Sequence, residues 1–151
     1  RLTLPQLKKY DVTQKVIETF NGMEGIILKK DSYGEADLLV TILTKDFGKI
    51  KVMAQGVKKE AAKLKGHVEP FTHSVISFVI GKNFYRLTSA EAKIFFENMR
   101  QDMNKLRIAY LIINLIDSNA FEERGDERLF KLVKETFLKL DGENVDDFKE
   151  L

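Results

Sequence analysis

Seven lysines fall within residues 45–66, opposed there only by Asp46 and Glu60. Ammonium groups at this density suit electrostatic work: they neutralise a polyanion and release its counterions. Lys49 and Lys51 belong to a stretch that alternates. Ile50, Val52 and Ala54 point one way, and Lys49, Lys51, Met53 and Gln55 the other. A period of two puts the first set in a core and the lysines on an outer face. Lys58, Lys59, Lys63 and Lys65 lie in a connection bounded by Gly56 and Gly66. Farther on, Lys82 and Arg86 lie on either side of Phe84. A guanidinium can fork onto a phosphate or lie against a base. Phe84, on the face of Arg86, can stack on a base. These nine residues are the candidate binding surface. The competing readings are plain. A lone lysine is ordinarily a solvated cation that keeps a domain soluble, and Phe84 can instead pack beneath a loop or a helix. Tyr33 and Phe47, in turns, can stack in the same way or plug their turns.

Other chemistries find little support. The chain has no cysteine, which removes disulfides, thiolate zinc sites and thiol nucleophiles and fits a reducing cytoplasm. His67 and His73 have no metal-like spacing with carboxylates. The pairs Glu35/Asp37 and Glu122/Glu123 have no nucleophile beside them, so they read as loop charges. No Walker loop, dinucleotide glycine motif or nucleophile elbow occurs. The expectation is a binding protein without a cofactor, not an enzyme. Charge is uneven: residues 23–93 carry twelve basic and eight acidic side chains, and residues 94–151 nine and thirteen. No apolar run is long enough to span a membrane, and charges interrupt the first 22 residues where a secretory segment would lie. The first residue is Arg1 rather than Met, so the chain reads as a fragment or a processed product.

The elements that must position these groups can be read in order. Residues 1–22 form a lead-in with capping-box spacing at Asp11–Gln14 and a short helix expected over 12–20. Strands follow: Ile26 to Leu28, then 38–44, a tight turn at 45–48, and 49–55. A long strand opens at Pro70 and runs to Ile80, and a fifth runs from Phe84 to about Ser89. Five short strands with one longer connection suggest a small barrel of the OB-fold type, spanning 23–92. Strand counting alone does not separate it from an SH3-like barrel. A partial helical domain occupies 93–151. Its helices are expected over 92–99, 104–120 and from a cap at Asp126 to Leu140. The middle one is apolar nearly all round and so expected to be buried. Leu129, Leu132, Val133, Thr136, Phe137 and Leu140 form the stripe of the last.

The ordered set of segments resembles the RecO family of recombination-repair proteins. Residues 23–59, MEGIILKKDSYGEADLLVTILTKDFGKIKVMAQGVKK, show its apolar first strand, Gly-Glu-Ala-Asp loop, Leu-Thr strand end and Gly-Lys turn. Residues 63–91 continue with Leu-x-Gly-x-x-x-Pro-Phe and Leu-Thr-x-Ala-Glu. RIAYLIINLID and ERLFKLVKETFLKL stand where the family has its first helical segments. Residues 1–22 precede the usual family start, Asn114 stands where a Glu is expected, and the four-cysteine zinc site of many relatives has no counterpart. The resemblance implies a mediator that binds single- and double-stranded DNA, promotes annealing, and works with RecR and the single-strand binding protein. A protein-interaction adaptor and a generic RNA-binding OB protein are the alternatives.

Overall fold

The computed structural model describes residues 19–55, 65–119 and 125–142. Five strands come first: β1 (Thr19–Tyr33), β2 (Asp37–Thr44), β3 (Gly48–Ala54), β4 (His73–Ile80) and β5 (Tyr85–Ile94). A 3-10 turn, Lys65–Val68, precedes β4. Three helices follow: α1 (Glu97–Gln101), α2 (Met103–Asn119) and α3 (Glu127–Gly142). The strands pair in the order β1-β2-β3-β5-β4, and β4 returns to β1. The ring closes irregularly. Its β3–β5 seam is parallel and only two residue pairs long, Val52 beside Tyr85 and Met53 beside Arg86.

β1 is far longer than the apolar run Ile26–Leu28 suggests. Its first half pairs with β4 and its second half with β2. Thr19 and Phe20 are already strand, so the end of the helix expected over 12–20 is corrected; the rest of that helix lies outside the described residues. Phe20 earns its extended backbone by packing against Phe47 and Phe78, at centroid distances of 5.1 and 5.2 Å. Those long-range contacts override a local capping signal. The β2–β3 turn needs Gly48, whose φ of 70° is the left-handed region. Thr44 Oγ1 ties the turn by accepting from Phe47 N–H at 3.0 Å and donating to Gly48 O at 2.7 Å.

The strand expected to open at Pro70 begins only at His73. Phe71 is the cause: its φ is 75°, which no strand tolerates. Arg100 holds the corner, donating through Nη2 to Pro70 O and Thr72 Oγ1, each at 2.6 Å. β5 likewise runs on to Ile94, so the first helix starts at Glu97 and not at 92.

Two apolar cores result. Ile27, Val40, Ile42, Ile50, Val52, Ile76, Phe78 and Leu87 fill the ring of strands. Ile26, Leu28 and Leu43, on its outside, pack against Phe96, Met99, Ile113, Phe130 and Phe137. Asp102 and Asp126 cap α2 and α3, each accepting two backbone N–H groups through Oδ1. The buried stripe of α3 is Phe130, Val133, Phe137 and Leu140. Leu132, assigned to that stripe from the sequence, is exposed. The expected burial of α2 holds on one side only: Ala109, Ile113 and Ile116 are buried, while Tyr110 and Leu111 are exposed. Strands and helices on its inner side satisfy half of its apolar surface. Among the described residues, no helix is long and apolar enough to cross a membrane.

Candidate functional site

Strand register sorts the outer face of β1, β2 and β3 into rows. Ile26, Leu43 and Lys49 share the first row; Lys29, Thr41 and Lys51 the second; Asp31, Leu39 and Met53 the third. The parallel seam adds Arg86 to the third row, beside Met53. Continuing that register one residue back places Phe84 at the level of Lys51.

The helices cover the first row. Lys49 is only 6% exposed, and its Nζ donates to Asp117 O at 2.8 Å, with Asp117 Oδ1 at 3.6 Å. It therefore satisfies a carbonyl in the last turn of α2, where the helix dipole favours a cation. Lys49 lies on the outer face as its alternation requires, but the expectation that it is a solvated, ligand-facing lysine is corrected. A helix end occupies its amine.

Two residues farther along β3, Lys51 reaches solvent, although Thr41 and Met53 on the same face are buried. Lys51, Lys82 and Arg86 are exposed, and Phe84 is 37% exposed. Tyr85, 3% exposed, packs inside the ring against Phe78, and strand alternation then turns Arg86 outward, while Phe84 stands in the turn just before β5. Phe84 is not packed beneath the helices. Among the described residues, Lys82 and Arg86 have no ion pair or side-chain hydrogen bond, so their charges are available to a ligand. Lys58, Lys59 and Lys63 lie outside the described residues, and for Lys65 only the backbone is described, at the start of the 3-10 turn. The structure thus sets Arg86 in the row next to that of Lys51, leaves Lys82 and Phe84 in the turn that leads into β5, and buries Lys49 apart from them.

Sequence reading missed Lys29. The apolar run Ile26–Leu28 before it carries no alternation that would assign Lys29 a face. A bulge between Ile27 and Lys29 inserts one residue and turns Lys29 outward, into the row of Lys51. It stands 3.7 Å from Asp31 and 3.8 Å from Asp117. Turn residue Phe47 is a buried plug, whereas Tyr33 is exposed.

A second charged cluster lies away from this surface, between the strands and α3. Glu24 accepts from Lys45 Nζ at 3.3 Å and from His73 Nε2 at 3.0 Å, and Lys134 Nζ of α3 lies 3.5 Å away. Burial works to raise the Glu24 carboxyl. The hydrogen bonds from Lys45 and His73 and the charges of Lys134 and Lys45 outweigh it, and hold the group below the usual carboxylate value. Burial, then the charge of Lys134, pushes His73 below its ordinary value, against the pull of Glu24. The geometry agrees. Nε2–H donates to Glu24, so Nδ1 carries the lone pair and has no partner among the described residues. A second proton there would be buried without an acceptor. This arrangement fastens α3 to the strands. Among the described residues no group of three or more carboxylates and imidazoles is placed to hold a metal.

With the geometry in place, comparison with known proteins is direct. The family described as "Recombination protein O N terminal" matches residues 21–96, which takes in β1 from its third residue and the whole of β2 to β5. The chain is 37% identical over 117 residues to a DNA repair protein RecO of Roseiflexus sp. (strain RS-1), covering 78% of this chain and 41% of that protein. To those of Alkaliphilus metalliredigens and Bacillus velezensis it is 32% identical over 123 residues and 33% over 124, covering 82% of this chain each time and 50% and 49% of the relatives. The chain spans half or less of the length of these curated relatives.

Proposed function

Since the chain belongs to the RecO family of DNA repair proteins, we propose that it is the DNA-contacting part of a non-enzymatic mediator of recombinational repair. It binds single- and double-stranded DNA through phosphates and supports annealing. The irregular ring of five strands is read as an OB-fold. In that fold the outer side of strands 2 and 3, with the loops joining strands 1–2 and 4–5, holds oligonucleotides. Lys51 lies on that side, and Lys82 and Phe84 lie in the loop between β4 and β5. The observation that carries the reading is the exposure of Lys51 and Arg86 in neighbouring rows at the β3–β5 seam, with exposed Lys82 and Phe84 in the turn that leads into β5. Lys58, Lys59, Lys63 and Lys65 join this set in our reading, because their connection departs from the end of β3, beside Arg86.

The test is a titration of a fluorescent single-stranded oligonucleotide across a salt series. Binding weakens steeply as salt rises, and each phosphate contact contributes a slope of about 0.7 on a log–log plot. Combined Lys51→Glu, Lys82→Glu and Arg86→Glu weakens binding at least about tenfold and flattens the slope. An unchanged titration at low salt would show that the surface has been misplaced.

A second reading rests on the helices. Met103, Tyr110, Leu111, Leu132 and Leu138 are exposed apolar side chains, more than a DNA-binding role requires. An adaptor that docks proteins, with RecR and the single-strand binding protein as the partners implied by family resemblance, uses such a surface. Capture of either partner that survives the triple charge reversal, by a chain without measurable DNA affinity, favours it.

A further inference from the structure

Four aromatic rings are exposed among the described residues: Tyr33, Phe84, Phe95 and Tyr110. Their surroundings differ. The residues two places to either side in the chain differ in charge. For Tyr33 these are Asp31 and Glu35, which repel phosphates. For Phe95 they are Lys93 and Glu97. Tyr110 lies on a helix and already meets the Phe71 ring edge-on at 4.9 Å. Phe84 has a cation on each side, Lys82 and Arg86. At its level on β3 stands a third, Lys51.

The ring is also held in place. Gly81 N–H donates to Phe84 O at 3.0 Å, which closes the β4–β5 turn. A Cβ at Gly81 would lie 2.6 Å from that same oxygen, so the closure depends on glycine. The next residue, Tyr85, is locked inside the ring of strands. Phe84 is therefore pinned from both sides at its backbone and leaves more than a third of its surface to solvent.

We propose that Phe84 stacks on an unpaired nucleobase, and that this contact makes the open end of the face select single-stranded DNA over duplex. The proposal rests on the phosphate-binding reading above. Cations alone do not make this distinction, since both forms of DNA offer phosphates. In a duplex the faces of the bases are already stacked on one another. In a single strand they are free, and every base has a face to offer, so the preference carries little sequence dependence.

The chain has no tryptophan, so Phe84→Trp introduces its only indole at the proposed contact. Two oligomers of equal length serve as probes: a thymidine oligomer and an abasic one with the same phosphates and no bases. The thymidine oligomer quenches the Phe84→Trp emission, and the abasic one does not. Phe84→Ala binds thymidine about tenfold more weakly while keeping the abasic affinity and the salt slope. Tyr33→Ala changes neither. Equal quenching by the two probes, or an equal loss of both affinities in Phe84→Ala, overturns stacking and leaves phosphate binding standing. Failure of the unaltered chain to bind either oligomer at low salt overturns both.

Discussion

Lys49 and Lys51 are two residues apart on one strand and point to the same side of the sheet, yet they do different work. Lys49 sits under the end of α2 and gives its proton donors to Asp117. Lys51 stands in the open, level with Phe84 and near Arg86. The difference extends to whole regions. One end of the outer face is a second core, built with the helices from Ile26, Leu28, Leu43 and the aromatic rings of α3. The other end carries the exposed charges of Lys51 and Arg86 beside buried Thr41 and Met53. A lysine's role on this sheet is thus set by which element lies above it.

The sharpest way to break the comparison is to remove a large ring from each region. Phe137 is fully buried and meets Phe71 and Phe96 edge-on, at 6.1 and 5.6 Å. Phe137→Ala should cost about 3–5 kcal/mol, whereas Phe84→Ala should stay within about 0.5 kcal/mol. Urea unfolding measures both. Similar losses would mean that the two ends are not distinct.

A smaller effect separates the lysines themselves. Lys49→Met leaves the Asp117 carbonyl and carboxylate short of a donor and should cost about 1–2 kcal/mol, without altering the salt slope of DNA binding. Lys51→Met should do the reverse, lowering the slope by about 0.7 with little change in stability. If Lys49→Met also flattens the slope, its amine reaches the ligand and the boundary drawn here is wrong.

The mildest probe is pH, which reports on the covered region through the cluster that fastens α3. His73 has its pKa lowered on folding, so between its folded and unfolded values the unfolded chain binds more protons. Stability is then greatest above the ordinary histidine value near 6.5 and falls as pH drops below it. Glu24, also lowered, adds a second loss below its ordinary value of 4.5, as its carboxylate is protonated. Stability curves should therefore slope downward toward acid, and His73→Gln should remove the upper part of that slope. An unaltered slope in His73→Gln would assign the acid sensitivity elsewhere.

Much of this was legible in the residues. The alternation of Ile50, Val52 and Ala54 located β3 and its inner side, the cap at Asp126 located α3, and the family was visible in the ordered motifs of residues 23–91. Phe84, Arg86 and Lys82 were legible as a group because they lie within five residues of one another in the chain. What escaped had specific causes. The bulge at Leu28 breaks the alternation, so no pattern in the residues showed that Lys29 joins the row of Lys51. The left-handed backbone of Phe71 stops a strand where the β-prone sequence promises one. Phe20 joins a strand because Phe47 and Phe78, distant in the chain, wait for it.

Local periodicity is a property of neighbours in the chain, and in β3 it determined which side chains lie on the outside. Whether the outside is wet or covered depends on contacts between segments far apart in sequence. Lys49 meets Asp117 across 68 positions, and no pattern within β3 distinguishes it from Lys51. Only the packing of α2 and α3 onto the sheet decided which of the two lysines is buried.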